Sequence, residues 1–276
     1  MRSIDRLNLG KTLTYVRNLK PGNHGIFFYE NPQEKREVLF SFLQAGLERG
    51  EGAIYVAAEE PSAHIRRHME AFGLDVQSLY KDGLLRIFDY DDWYIIDGKV
   101  NIPYMTRLGH YVFQQAMDLG LKGLRGCGET ACFFEHQKVK ELVEYELMIG
   151  RRFDLPLTSL CAYDVTHAKS LEDRFFLGLI KAHGSVVTAS FAQEVKFEKL
   201  FPTILDKVLE DLFGEMGKET ILRILEERYS LELQKIVEDP TSFIHGLEEL
   251  VDSGAQVITK SVVAQIHSKI GIIQHK

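Results

Sequence analysis

The chain has 276 residues, 45% of them hydrophobic and 26% charged, which is enough for one large α/β domain with a smaller one beside it. Its net charge of −7 gives no basic footprint for nucleic acid, and its three cysteines lack CxxC spacing, which excludes a disulfide scaffold and a thiolate zinc knuckle. The first residues carry no apolar leader core, and no run approaches roughly 18 apolar residues, so a cytoplasmic chain without a membrane span is expected.

Residues 1–19 are weakly patterned and read as an N-terminal arm or a short amphipathic helix. Pro21-Gly22-Asn23 marks a turn, and Ile26 to Tyr29 reads as a first buried strand. The segment after it, YENPQEKREV, is where a nucleotide-binding fold places GxxxxGK[ST]. It contains no glycine, so no phosphate cradle and no ATP site of the usual kind are expected, and Lys35 alone is no substitute. A helix is predicted over Gln33–Glu48 and a strand over Ala53–Ala58. Glu59 and Glu60 follow that strand, either as chemistry at a strand's carboxyl end or as favourable first-turn charge on the next helix.

A helix over Pro61–Phe72 follows, capped by Gly73. Next come a helical piece over Asp75–Tyr80 and a strand over Leu84–Phe88. Asp89 to Tyr94 is the densest aromatic–acidic cluster and holds the only tryptophan, Trp93. It reads as a pocket wall or as a cover over the sheet edge. Asp97-Gly98-Lys99 is a turn, and Ile102–Leu119 a long helix. In GLRGCGET, Gly126 and Gly128 bare the backbone, and Arg125 and Glu129 either clamp a polar ligand or pair with each other. Helices over Glu135–Ile149 and Ser170–His183 and apolar runs at Pro156–Ala162 and Val186–Ala189 complete the alternation. That alternation predicts a mostly parallel sheet flanked by helices over residues 20–193.

Beyond Gln193 the pattern turns all-helical, with apolar residues at three- and four-residue spacing from Phe201 to Phe213 and breaks at Gly214 and Gly217. Residues 196–276 hold 10 basic and 14 acidic side chains, a net of −4. Direct nucleic-acid binding is therefore not expected. Self-association, as a dimer by default or a hexamer, or docking of a signalling protein suits this charge better.

The segment Phe42–Asp89 resembles the domain of the clock protein KaiC and its RecA-like relatives, in GLERGEGAIYVAAEEP, IRRHMEAFGLDV and GLLRIFD. Glu59-Glu60 matches the glutamate pair of that family, while the phosphate loop is missing. A closer resemblance is to the MEDS domain, the sensory domain of methanogen and methylotroph proteins such as DcmR. It is carried by His24 with Phe28-Tyr29-Glu30, by Glu59-Glu60, by Leu124-Arg125 with Gly128-Glu129, by Glu144-Tyr145-Glu146, by Cys161 with Tyr163-Asp164, and by His183. It implies a RecA-like sheet stripped of its phosphate loop and a small, hydrocarbon-derived ligand. The helical tail resembles the output domains attached to archaeal sensory proteins.

These readings give the ligand-contact candidates His24, Tyr29, Glu59, Trp93, Arg125 and Glu129, and through the MEDS resemblance Tyr145, Cys161, Tyr163, Asp164 and His183. Arg125, Glu129, His24 and Tyr29 are expected to converge in one pocket at the carboxyl edge of the sheet, with Trp93 or Tyr94 at its rim. His24 and His183 read as donors to an oxyanion or as core histidines. Cys161 reads as a ligand contact, as core, or as a nucleophile beside a histidine. No spacing such as HExxH marks a metal site, and none is expected. A non-enzymatic small-molecule sensor is the leading function. The alternatives are a residual nucleotidase using Glu59 and Glu60, an acyl-transfer enzyme using Cys161, and a transcriptional regulator acting through the tail.

Overall fold

The computed structural model describes residues 3–152 and 157–272. In chain order it runs α1 (Ser3–Arg17), β1 (His24–Tyr29), α2 (Pro32–Glu48), β2 (Gly52–Ala57), α3 (Ser62–Phe72), α4 (Val76–Lys81) and β3 (Leu85–Asp89). The next elements are α5 (Tyr90–Trp93), β4 (Ile95–Ile96), β5 (Lys99–Val100), α6 (Ile102–Asp118), β6 (Leu124–Glu129), α7 (Ala131–Glu135) and α8 (Val139–Arg152). Then come β7 (Leu157–Asp164), α9 (Val165–Lys169), α10 (Asp173–Ala182), β8 (Ser185–Val187) and β9 (Ala192–Glu194). The chain closes with α11 (Phe197–Tyr229), α12 (Leu233–Glu238), α13 (Pro240–Val251) and α14 (Gly254–Lys269). Pro156, expected to open the seventh strand, lies outside the described residues.

The main sheet has the order β3-β2-β6-β7-β1-β8-β9, parallel except for the antiparallel β8–β9 pair at one edge. This is the mostly parallel sheet the βα alternation predicts. Its central strands are buried on both faces, as crossover helices require. Period-two alternation divides them. Ile26, Phe28, Ile54, Val56 and Tyr163 face a layer that contains α6, α8 and α10. Phe27, Tyr29, Tyr55, Cys127 and Leu160 face α1, α2 and α3. The expected N-terminal arm is the helix α1. It packs on α2, where Arg17 donates to Gln44 and Glu48, and reaches the β8 edge through Tyr15 and Ser185.

The loop between β1 and α2 is only Glu30 and Asn31. The Asn31 side chain accepts from the Glu34 amide at 2.9 Å and Pro32 fills the first turn, so the chain passes directly from strand into a capped helix. The predicted Asp97-Gly98 turn joins β4 and β5, with φ of 50° and 73° as a two-residue hairpin turn requires.

The helix expected over Ser170–His183 forms as α10, and a separate short helix, α9, precedes it. Asp164 caps the short α9, accepting from the Thr166 and His167 amides, and α10 begins only at Asp173. The C-terminal helices do not stand apart, for Phe201, Ile258 and Ile266 share one core with Phe176 and Ile180 of α10. α11 breaks at Gly214, whose φ of 69° and ψ of 173° no helix holds, and Leu212, Phe213 and Met216 are exposed around that break.

His267 of α14 is buried against Phe176, with ring centroids 4.3 Å apart and neither ring nitrogen hydrogen-bonded. Burial first, and the charge of Lys169 second, lower its pKa from 6.5 to about 4. The unfolded chain therefore takes up this proton below about pH 6.5 while the folded chain resists it down to about 4. The contribution of a neutral His267 is complete above the upper value and is lost as the pH falls through that window. A melting temperature that drops between pH 7 and 5, with a shallower drop in His267→Phe, is the expected result of thermal denaturation across that range.

Candidate functional site

Gly126 and Gly128 alternate with Arg125, Cys127 and Glu129 along β6 and open space on the face shared with Ile54 and Val56. Tyr94 fills part of it. A Cβ at Gly128 would lie 1.9 Å from the Tyr94 hydroxyl oxygen, so only glycine lets that ring approach. What remains is a cavity of about 70 Å³ between β2, β6, β7 and the helices above, walled by Trp93, Tyr94, Met105, Tyr145 and Ile149. The Trp93 indole donates to the Tyr145 hydroxyl at 3.4 Å, and the Tyr94 and Tyr145 rings meet edge-on at 5.9 Å. Cys161 of β7 also lines the cavity.

Behind Cys161 lies a buried polar cluster. His24 opens β1, Glu146 comes from α8, and His183 follows α10. The His24 Nδ1 is 3.1 Å from the Ala182 carbonyl and the His183 Nδ1 is 2.7 Å from the Leu179 carbonyl. A carbonyl only accepts, so both Nδ1 atoms carry hydrogen. The rings lie 4.0 Å apart. Glu146 Oε1 accepts from the Tyr163 hydroxyl at 2.6 Å, while its Oε2 lies 3.1 Å from His24 Nε2 and 3.5 Å from Cys161 Sγ. Burial by itself would raise the Glu146 pKa; His183, His24 and the Tyr163 hydroxyl together bring it down to about 2. Burial, then His24, lowers His183 to about 3, and burial pushes the Cys161 thiol up. α8 and α10 approach closely at this point, where a Cβ on Gly150 would meet the Ala182 carbonyl oxygen at 2.4 Å.

The other face of the sheet carries a separate network. Lys35 is wholly buried and bridges Glu59 at 2.8 Å and Glu129 at 2.6 Å. Glu129 also accepts from the Tyr55 hydroxyl at 2.5 Å and from the Ala58 and Glu59 amides at 2.7 and 2.8 Å. Tyr29 donates to Glu59. Burial would lower the Lys35 pKa, but Glu129 and Glu59 outweigh it and raise it. Lys35, in the first turns of α2, is thus neutralised by the protein's own carboxylates. Glu60 pairs instead with Arg36 and His68 at the surface.

The expected convergence of Arg125, Glu129, His24 and Tyr29 at the carboxyl edge is not what the fold builds. Arg125 is the second residue of β6, and its Nε donates to Glu51 at 2.6 Å, with the Val16, Leu19 and Phe42 carbonyls accepting from the rest of the guanidinium. Four residues bring side chains together on a helix, but on a strand they stand about 13 Å apart. Arg125 and Glu129 therefore share a face without meeting. His24 stands at the amino end of β1 and faces the opposite layer from Tyr29 and Glu129. The cavity that does form lies under the sheet, and of the expected ligand contacts it collects Trp93, Tyr145 and Cys161, with Tyr163 and His183 behind. Asp164 is occupied as a helix cap. Glu146 and Lys35 are the functional-looking residues absent from the expected set. Glu146 stands three residues after Val143 and four after Leu142, on the buried stripe of its helix, and that periodicity marks it.

Fold and site together define an α/β domain with a mostly parallel sheet, whose first strand passes directly into a capped helix. The chain belongs to the MEDS family, the methanogen/methylotroph DcmR sensory domain, which matches over residues 23–183. Among solved structures it is similar to a KaiC-like protein from the hyperthermophilic archaeon Pyrococcus horikoshii OT3, at 16% identity and a TM-score of 0.45, covering 61% of this chain and 71% of that one. No curated protein matches it. Among the described residues no helix is long and apolar enough to cross a membrane.

Proposed function

We propose that the chain is a non-enzymatic cytoplasmic sensor that takes a small, mostly apolar molecule into the cavity under β6 and reports its presence through the C-terminal helices. The observation that carries this reading is the cavity itself, aromatic-walled and lined by Cys161. An engineered apolar cavity of about 150 Å³ holds benzene. A volume of about 70 Å³ suits a molecule of only a few non-hydrogen atoms. The route to the tail is α10. Its Leu179 and Ala182 carbonyls orient the two histidines, while Phe176 packs on His267 and Lys181 donates to the Glu238 carbonyl. Trp93 is the only tryptophan and lines the cavity, so its fluorescence reads occupancy directly. Titration with one-carbon probes, dichloromethane and methanol, is expected to change that fluorescence saturably with at least one of them; a purely linear response to both contradicts the reading.

The output region is further proposed to self-associate, as a dimer. Most of its apolar stripe is covered within the chain, but Leu212, Phe213 and Met216 are not, and Met216 is 83% exposed. Light scattering at tens of micromolar is expected to give twice the chain mass, falling to one chain mass in Leu212→Glu/Met216→Glu. A monomeric full chain at that concentration rules the dimer out.

A further inference from the structure

We infer that His24, Glu146, Cys161 and His183 form a four-ligand site for a zinc-class divalent cation. Their donor atoms all lie within 4.8 Å of one another, and the four come from separate elements that converge behind the cavity. Four of the six donor pairs lie at 3.1–3.6 Å, near the spacing of ligands in a tetrahedral shell, and the other two lie within 4.8 Å. His24 Nε2 is 3.1 Å from Glu146 Oε2 and 3.4 Å from Cys161 Sγ, Cys161 Sγ is 3.5 Å from Glu146 Oε2, and His183 Nε2 is 3.6 Å from the same oxygen. Metal–ligand distances of ~2.0–2.3 Å place tetrahedral neighbours about 3.3–3.7 Å apart.

Hydrogen accounting points the same way. Both imidazoles commit Nδ1–H to a backbone carbonyl, the outer contact that commonly holds a metal-bound histidine in register. Both Nε2 lone pairs then turn inward, toward a carboxylate oxygen that can only accept. Among these four atoms the Cys161 thiol supplies one hydrogen and can satisfy one acceptor. Protonating His24 would pair it with Glu146 and still leave His183 Nε2, which is buried without a hydrogen-bond partner. Protonating His183 instead forms no bond, because Glu146 lies beyond hydrogen-bond reach at 3.6 Å. A divalent cation meets all four donors at once. Two neutral imidazoles, a carboxylate and a thiolate carry two negative charges in total, which it balances in a site where unpaired charge is costly. Thiolate with imidazole favours zinc over magnesium or calcium. With four protein ligands the site is a closed, structural one that fixes Cys161 at the cavity wall and ties β1, β7, α8 and the end of α10 together.

This inference does not rest on the small-molecule reading: Trp93 fluorescence reports the cavity, and metal binding reports the cluster. The test is cobalt(II) loading of the purified full chain, followed by removal of loose metal and elemental analysis. About one cobalt per chain is expected, with intense tetrahedral visible bands and a thiolate-to-cobalt charge-transfer band. Cys161→Ser should keep a circular dichroism spectrum like the parent's and lose the charge-transfer band. His183→Ala should weaken binding by more than the roughly 10–100-fold that loss of a ligand's supporting partner costs. Folded wild-type protein that retains no cobalt overturns the inference, and so does a charge-transfer band that survives in Cys161→Ser. If either variant fails to fold, the wild-type stoichiometry and spectrum decide alone.

Discussion

Arg125→Ala is expected to lower the stability of the chain by about 3–5 kcal/mol, the cost of removing one partner of a buried ion pair. The guanidinium is fully buried, pairs with Glu51, lies 4.9 Å over the Phe42 ring and donates to three carbonyls from α1, the turn after it and α2. Alanine leaves the Glu51 carboxylate and those carbonyls unpaired beneath α1 and α2. The urea midpoint should fall steeply, and α1 should lose its protection from amide exchange first. Cavity binding, measured where the variant is still folded, should be unchanged, because the cavity is on the other face of β6. A stable variant that has lost binding would return Arg125 to the ligand-contact role its sequence context suggests.

Lys35→Met is expected to cost a similar ~3–5 kcal/mol, for the converse reason. It strands two carboxylates, one of them wholly buried, without their shared cation. The double variant Lys35→Met/Glu129→Gln should recover part of that loss, since it removes the charge left unpaired. Denaturant midpoints of the two single variants and the double variant give the coupling. Strict additivity would mean that the network is not coupled and that Lys35 acts by packing alone.

Much of the sheet was legible because fully buried parallel strands write themselves as short apolar runs between capped helices. The β1–α2 loop was legible because it holds no glycine and so cannot cradle a phosphate; that Asn31 caps the helix with Pro32 in its first turn came from the structure. The site was harder. Which face a strand residue takes follows from period two, but which helix covers that face does not, and so Arg125 and Glu129 were joined by a spacing that only a helix makes close. Glu146 shows the reverse case. Its helical periodicity places it inward, yet its partners His24, Cys161 and His183 lie 122, 15 and 37 positions away in the chain and meet only through the crossover order of the sheet. β8 and β9 are three residues each, too short for a periodic signal, and their antiparallel pairing is tertiary in origin.

One paired titration tests most directly whether the cavity beneath Gly126 and Gly128 is the ligand site. A Cβ at Gly126 would meet only Leu157 Cδ1 at 3.8 Å, an ordinary contact, so Gly126→Val can fill the cavity without straining the strand. Trp93 fluorescence is followed against dichloromethane and methanol in the parent chain and in this variant, with thermal melts alongside. A saturable change is expected in the parent and its loss in Gly126→Val, with melting temperatures that agree within a few degrees. Saturation that persists unchanged in Gly126→Val would place the ligand outside this cavity.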